Sequence, residues 1–133
     1  MRVAILALAV WALAGPAFAL EPEDVLGEWI TEWGNQGGEP VSGGAPMRVT
    51  LDSPGALDGV WPSPGADGVI YGEAVARPDG TLVWEGDWAS IWPEGVTRGA
   101  FRFVFTDADS FTGTWSTDDG EIVDAPWNGR RAE

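Results

Sequence analysis

A chain of 133 residues with 21 acidic and seven basic side chains, no histidine and no cysteine carries a formal charge of −14. Such a surface repels nucleic-acid phosphates and anionic membranes, so neither partner class is expected. The missing residue types exclude Ser-His-Asp and Cys-His nucleophile systems, histidine- or thiolate-bound zinc, disulfides and, because there is no lysine, a P-loop or a Schiff base.

The chain opens with Arg2, an apolar run from Val3 to Leu13 and the small-x-small string Ala17-Phe18-Ala19, the layout of a cleaved secretory signal peptide. Residues 1–19 are therefore set apart, the protein is expected to be periplasmic or secreted, and residues 20–133 form one domain. Without disulfides that domain must be held by its aromatic side chains. Glu21-Pro22-Glu23-Asp24 places a proline and acids where a short helical turn would begin.

The first strand follows, with Val25, Gly27, Trp29, Thr31 and Trp33 on one face and Leu26, Glu28, Ile30 and Glu32 on the other. Residues 34–46 are rich in glycine and proline and lack periodicity, which reads as a long loop, either a tie or a lid. Met47 to Asp52 alternates as a second strand with Met47, Val49 and Leu51 inward. The third carries Leu57, Gly59 and Trp61, and 62–68 reads as a turn. A fourth strand spans 69–77, Pro78-Asp79-Gly80 marks a hairpin, and a fifth spans 81–89 with Leu82, Trp84, Gly86 and Trp88 on one face. After a turn around Pro93-Glu94-Gly95, the sixth puts Gly99, Phe101, Phe103 and Phe105 on one face. The seventh puts Phe111, Gly113 and Trp115 inward, and a last short strand follows Trp127.

An apolar-x-Gly-x-Trp string recurs around Gly27, Gly59, Gly86 and Gly113, and strand-interior glycines stand at 59, 72, 86, 99 and 113. That rhythm is one strand and one turn per step, a β-meander. Eight strands with one aromatic and one polar face need closure, so the expected fold is an all-β, eight-stranded antiparallel up-and-down barrel. The face opposite the aromatics carries Glu85, Asp87 and Arg102, which excludes a barrel inserted in lipid.

Gly27-x-Trp29 after a helical turn, the long loop behind it and the terminal Arg130-Arg131 resemble the calycin group, the small barrels that include lipocalins, fatty-acid-binding proteins and avidins. Phe111-Thr112-Gly113-Thr114-Trp115 is similar to a strand motif of avidins, and the glycine-aromatic hairpins also resemble MORN repeats, which form an open sheet of shorter period. The calycin resemblance implies that Trp29 packs against Arg130 or Arg131 and closes one barrel end.

Carboxylates are the one catalytic chemistry left. Glu73, Glu85 and Asp87 read as solvated outward residues, and the acidic turns 107–109 and 118–121 as turn formers, so neither catalysis, a metal nor a cofactor is expected. The expected function is non-enzymatic binding of a small apolar or aromatic ligand at the barrel mouth, beneath the 34–46 loop. The candidate residues are Trp29, Trp61, Tyr71, Trp88, Phe103 and Trp115. The competing reading fills the barrel with these rings and leaves rim aromatics such as Trp33, Trp92 and Trp127 to contact a glycan or a protein.

Overall fold

The computed structural model describes residues 19–34, 41–42, 46–63 and 66–132. The expected signal peptide, apart from Ala19, lies outside the described residues. Pro22–Val25 forms a short 3-10 turn in which Glu21 and Asp24 cap each other reciprocally, as the proline and acids predict.

Nine strands follow: β1 (Gly27–Trp33), β2 (Val41–Ser42), β3 (Met47–Ser53), β4 (Ala56–Ser63), β5 (Ala66–Ala76), β6 (Leu82–Trp92), β7 (Gly95–Asp107), β8 (Ser110–Thr117) and β9 (Ala125–Arg131). From β3 onward each strand pairs antiparallel with the next, β3 pairs back to β1, and β9 pairs with β1 to close the ring. Eight strands thus form a closed up-and-down barrel. β2 only adds two rungs against Glu32 and Trp33.

The expected faces hold through most of the wall. Leu82, Trp84 and Trp88 of β6, Phe101, Phe103 and Phe105 of β7, and Phe111 and Trp115 of β8 are buried inside, whereas Glu85, Asp87 and Arg102 are exposed outside. The recurring glycine has a spatial reason. Gly59 pairs with Ile70, Gly68 with Trp61, Gly99 with Trp88, Gly113 with Phe103 and Gly129 with Phe111. At Gly59, Gly68 and Gly129 a Cβ would strike the side chain of the cross-strand partner first, so the glycine is the notch that seats it; at Gly99 and Gly113 it would strike the backbone carbonyls of Ser116 and Arg102 first and the partner's ring as well. Gly72 and Gly86 instead face each other, and a Cβ on either would run into the backbone of the other strand.

Four expectations are corrected. The turn expected over 62–68 gives way to strand at both flanks: β4 runs to Ser63 and β5 starts at Ala66, while positions 64–65 lie outside the described residues. Beyond Val60, β4 has lost its β3 partner, so Pro62 stands at a sheet edge where its missing N–H removes no ladder bond on that side. Strand pairing likewise continues beyond residue 89 and takes in Gly95, because β6 and β7 pair out to Trp92 and Gly95 and leave only Pro93-Glu94 to turn. Leu51, expected inward, is 41% exposed. It lies past the end of β1, whose first residue pairs with Val49, so it has β4 beside it, through Leu57, but no strand on the β1 side. The 34–46 stretch holds the two residues of β2; positions 35–40 and 43–45 lie outside the described residues.

Gly72→Ala should lower stability by roughly 2–3 kcal/mol, the cost of forcing a methyl group into a closed backbone contact. Urea unfolding followed by tryptophan fluorescence measures it, and an unchanged midpoint would refute the close approach of β5 and β6.

Candidate functional site

The two ends of the barrel are built differently. At the end where β1 begins, Trp29 and Arg131 are cross-strand partners. The Arg131 guanidinium carbon lies 4.7 Å from the centroid of the Trp29 ring, a cation-π contact. Its N–H groups donate to the carbonyls of Leu26 at 2.8 Å, Asp24 at 2.7 Å and Ala108 at 2.6 Å, and a 3.2 Å ion pair joins it to Asp109. One side chain therefore ties the 3-10 turn and the β7–β8 turn to the last strand. Trp29 is fully buried, donates its indole N–H to Val25 at 2.9 Å and packs on Phe105 and Phe111. Of the two arginines that the calycin resemblance offers, Arg131 takes this place. Arg130 points outward and is exposed.

At the other end the chain gathers tryptophans. Trp33 meets Trp115 edge-on at 5.8 Å, Trp115 meets Trp88 at 5.6 Å, and Trp61 meets Trp127 at 5.4 Å. Trp127 reaches inward onto Phe103 at 5.0 Å, and Phe103 stacks on Phe111 at 4.0 Å, so rings run from this end to the core. Trp33 and Trp61 are half-buried, and Trp92, at the tip of the β6–β7 hairpin, is 40% exposed. Half-buried Ile122, from the β8–β9 loop, packs against the same core.

Polar satisfaction separates these rings. Trp88 donates to the Ser116 carbonyl at 2.8 Å, Trp115 to the Gly34 carbonyl at 2.9 Å, and Trp84, midway along the wall, to Gly72 at 3.1 Å. The Trp127 indole N–H is buried and finds no acceptor among the described residues. An orphaned buried donor costs about 1–3 kcal/mol.

The structure divides the residues expected to bind ligand. Trp61, Trp88 and Trp115 stand at the tryptophan end, and Phe103 lies deeper, joined to Trp61 through Trp127. Trp29 belongs to the arginine end, and Tyr71 is on the outer wall, 53% exposed, between Asp58 and Asp87 of the adjacent strands. Trp33 and Trp127 complete the cluster. The sequence holds the signal for both: Trp33 alternates with Trp29, and Ala125, Trp127, Gly129 and Arg131 alternate inward.

The carboxylates are elsewhere. Glu73 and Glu85 are cross-strand neighbours on the outer wall, where Glu85 pairs with Arg102 at 3.3 Å and a shallow groove runs past Val75, Arg77 and Val83. In the acidic turns Asp107 accepts the Asp109 N–H at 2.8 Å, and Asp119 accepts the Glu121 N–H at 2.9 Å and the Thr117 hydroxyl at 2.8 Å. Among the described residues no group of acids is arranged to hold a metal ion. The Glu121 N–H, followed by the Thr117 hydroxyl, holds the Asp119 carboxyl below its ordinary value.

Comparison with protein-family models, with curated proteins and with solved structures finds no match.

Arg131→Ala should cost about 3 kcal/mol, since it strands carbonyls of two turns, while Arg130→Ala should stay within about 0.5 kcal/mol. Urea midpoints for the two variants decide the assignment, and equal effects would overturn it. The depressed Asp119 carboxyl contributes stability that is complete above its unfolded value and lost as pH falls through the lower folded one. Asp119→Ala should therefore lose less stability than the parent protein between pH 4 and pH 2 (about the range of a depressed carboxylate), as followed by thermal melts.

Proposed function

We propose that the protein is an exported, non-enzymatic binding protein that takes a small apolar or aromatic ligand at the tryptophan end of the barrel. The observation that carries this reading is Trp127: a buried indole N–H without an acceptor, beneath a cluster of rings whose other buried N–H groups are paired. Protein interiors rarely leave such a donor unpaired, and a ligand's acceptor atom or an ordered water would satisfy it. Because Trp61 and Phe103 pack on Trp127, the ligand docks against the rings of the rim, and its acceptor atom reaches the buried Trp127 N–H only as a rim ring shifts aside. Trp33 and Trp61, half-buried, supply the flat apolar contact.

A second reading, a glycan- or protein-interaction module, draws on the exposed Trp92 with Ile91 and Val96 beside it on the same hairpin.

Titration with N-phenyl-1-naphthylamine, a neutral aromatic probe that brightens in apolar sites, tests the first. The parent protein should bind it, Trp33→Ala and Trp61→Ala should weaken binding about tenfold, as for loss of a ring contact of ~1.4 kcal/mol, and Tyr71→Ala should leave it unchanged. Absence of binding by the folded protein, or an equal loss in Tyr71→Ala, would sink the reading, and loss in Trp92→Ala alone would favour the second.

A further inference from the structure

The segments that surround the tryptophan end carry a one-sided charge. Glu32 is next to last in β1, Asp67 second in β5, Glu94 lies in the β6–β7 turn, and Asp118, Asp119, Glu121 and Asp124 lie in the β8–β9 loop. None of these seven is in an ion pair among the described residues, whereas Glu28, Glu85 and Asp109, elsewhere on the barrel, each have an arginine. The arginine in these same end segments is Arg98, on β7. Seven carboxylates against one guanidinium in the segments around a set of indole rings is a field that favours a positive ligand and opposes an anion. Indole is also the aromatic side chain that attracts a cation most strongly.

The orphaned Trp127 N–H adds an independent constraint. It is 95% buried by residue surface, the residue being 5% exposed, and it can only donate. A bare cation cannot satisfy it; a molecule that carries both a positive group and an acceptor oxygen can. We infer that the tryptophan end recognises an organic cation, a quaternary or substituted ammonium on an apolar or aromatic body, with an ester, ether or carbonyl oxygen to accept from Trp127. This rests on the ligand site proposed above and narrows its ligand class. The rings of Trp33 and Trp61 contact the apolar body, the acidic segments hold the charge, and the indole N–H of Trp127 fixes the orientation.

The test compares three probes by isothermal titration at low ionic strength: benzoylcholine; 3,3-dimethylbutyl benzoate, in which carbon replaces the nitrogen; and hippurate, an anion with a similar ring and carbonyl. Benzoylcholine should bind at least about tenfold more tightly than its neutral isostere, and hippurate should not bind. The preference should shrink as salt is raised. A variant with Glu32→Gln, Asp118→Asn, Glu121→Gln and Asp124→Asn should lose most of that preference yet keep its affinity for the neutral ester. Trp127→Phe, which keeps a ring but removes the donor, should weaken both esters equally. Equal binding of the cation and its isostere overturns the cation assignment and leaves the ligand site standing. Failure of the folded protein to bind any of the three, together with failure to bind N-phenyl-1-naphthylamine, overturns both.

Discussion

An eight-stranded barrel has just enough interior for its own side chains, and this chain fills it with tryptophan and phenylalanine. The fold therefore depends on glycine standing opposite the ring. Gly68 seats Trp61, Gly99 seats Trp88, Gly113 seats Phe103 and Gly129 seats Phe111, each across one strand pair. The periodic glycine is costly to a strand in backbone entropy, but it lets a ring lie flat over the neighbouring strand and bury a large apolar area. Because each notch fits one partner, the pairs also fix the register: a slip of one residue would move every ring to the solvent face and put a side chain where the notch should be.

The same logic of exact partners applies to polar groups at the arginine end. A barrel that lacks disulfides needs something to hold its first turn and its last strand together, and Arg131 does this from one position. Its guanidinium is planar and presents five donors; three backbone carbonyls, one carboxylate and the face of Trp29 use it from different directions. The bonds reach 105 and 107 residues along the chain to Leu26 and Asp24, so closure is a contact of very high sequence separation. Closing so long a loop costs the chain more entropy than any hairpin of the meander.

Much of this was legible before any coordinates. Alternation places Trp84, Phe101, Phe103, Phe105 and Phe111 inside, and the glycine rhythm implies a closed meander. What the alternation does not reveal is where a strand stops. Pro62 and the glycines near it read as a turn because turn chemistry is local, yet loss of the β3 partner beyond Val60 makes that proline tolerable within a strand. Leu51 fails for the complementary reason: its inward parity is right, but burial also requires a neighbour, and β1 has not begun at that level. The candidate site was legible as a residue type rather than as a place. Trp29 and Trp115 look alike within their repeats, and β1 and β8 run in the same direction, both antiparallel to β9; register sends one to the arginine end, opposite Arg131, and the other to the tryptophan end, opposite Ala125. Tyr71 has the parity of an outward residue beside the inward Ile70 and Gly72, and that parity puts it on the wall.

The two ends of the barrel differ in how completely their buried polar groups are paired. At the arginine end the polar groups are paired: the Trp29 N–H has its carbonyl, the guanidinium has its acceptors, and the turns are closed. At the tryptophan end Trp88 and Trp115 are paired as completely, through Ser116 and Gly34, so an indole in this environment can find a backbone carbonyl. Trp127, packed on Trp61 and Phe103, finds none among the described residues. Had stability alone shaped the position, phenylalanine would fill nearly the same volume without a donor to satisfy, and Phe103 and Phe111 show that the core accepts it. Trp127 therefore keeps a polar atom at a net cost, and it does so at the end whose segments carry carboxylates without arginine partners among the described residues.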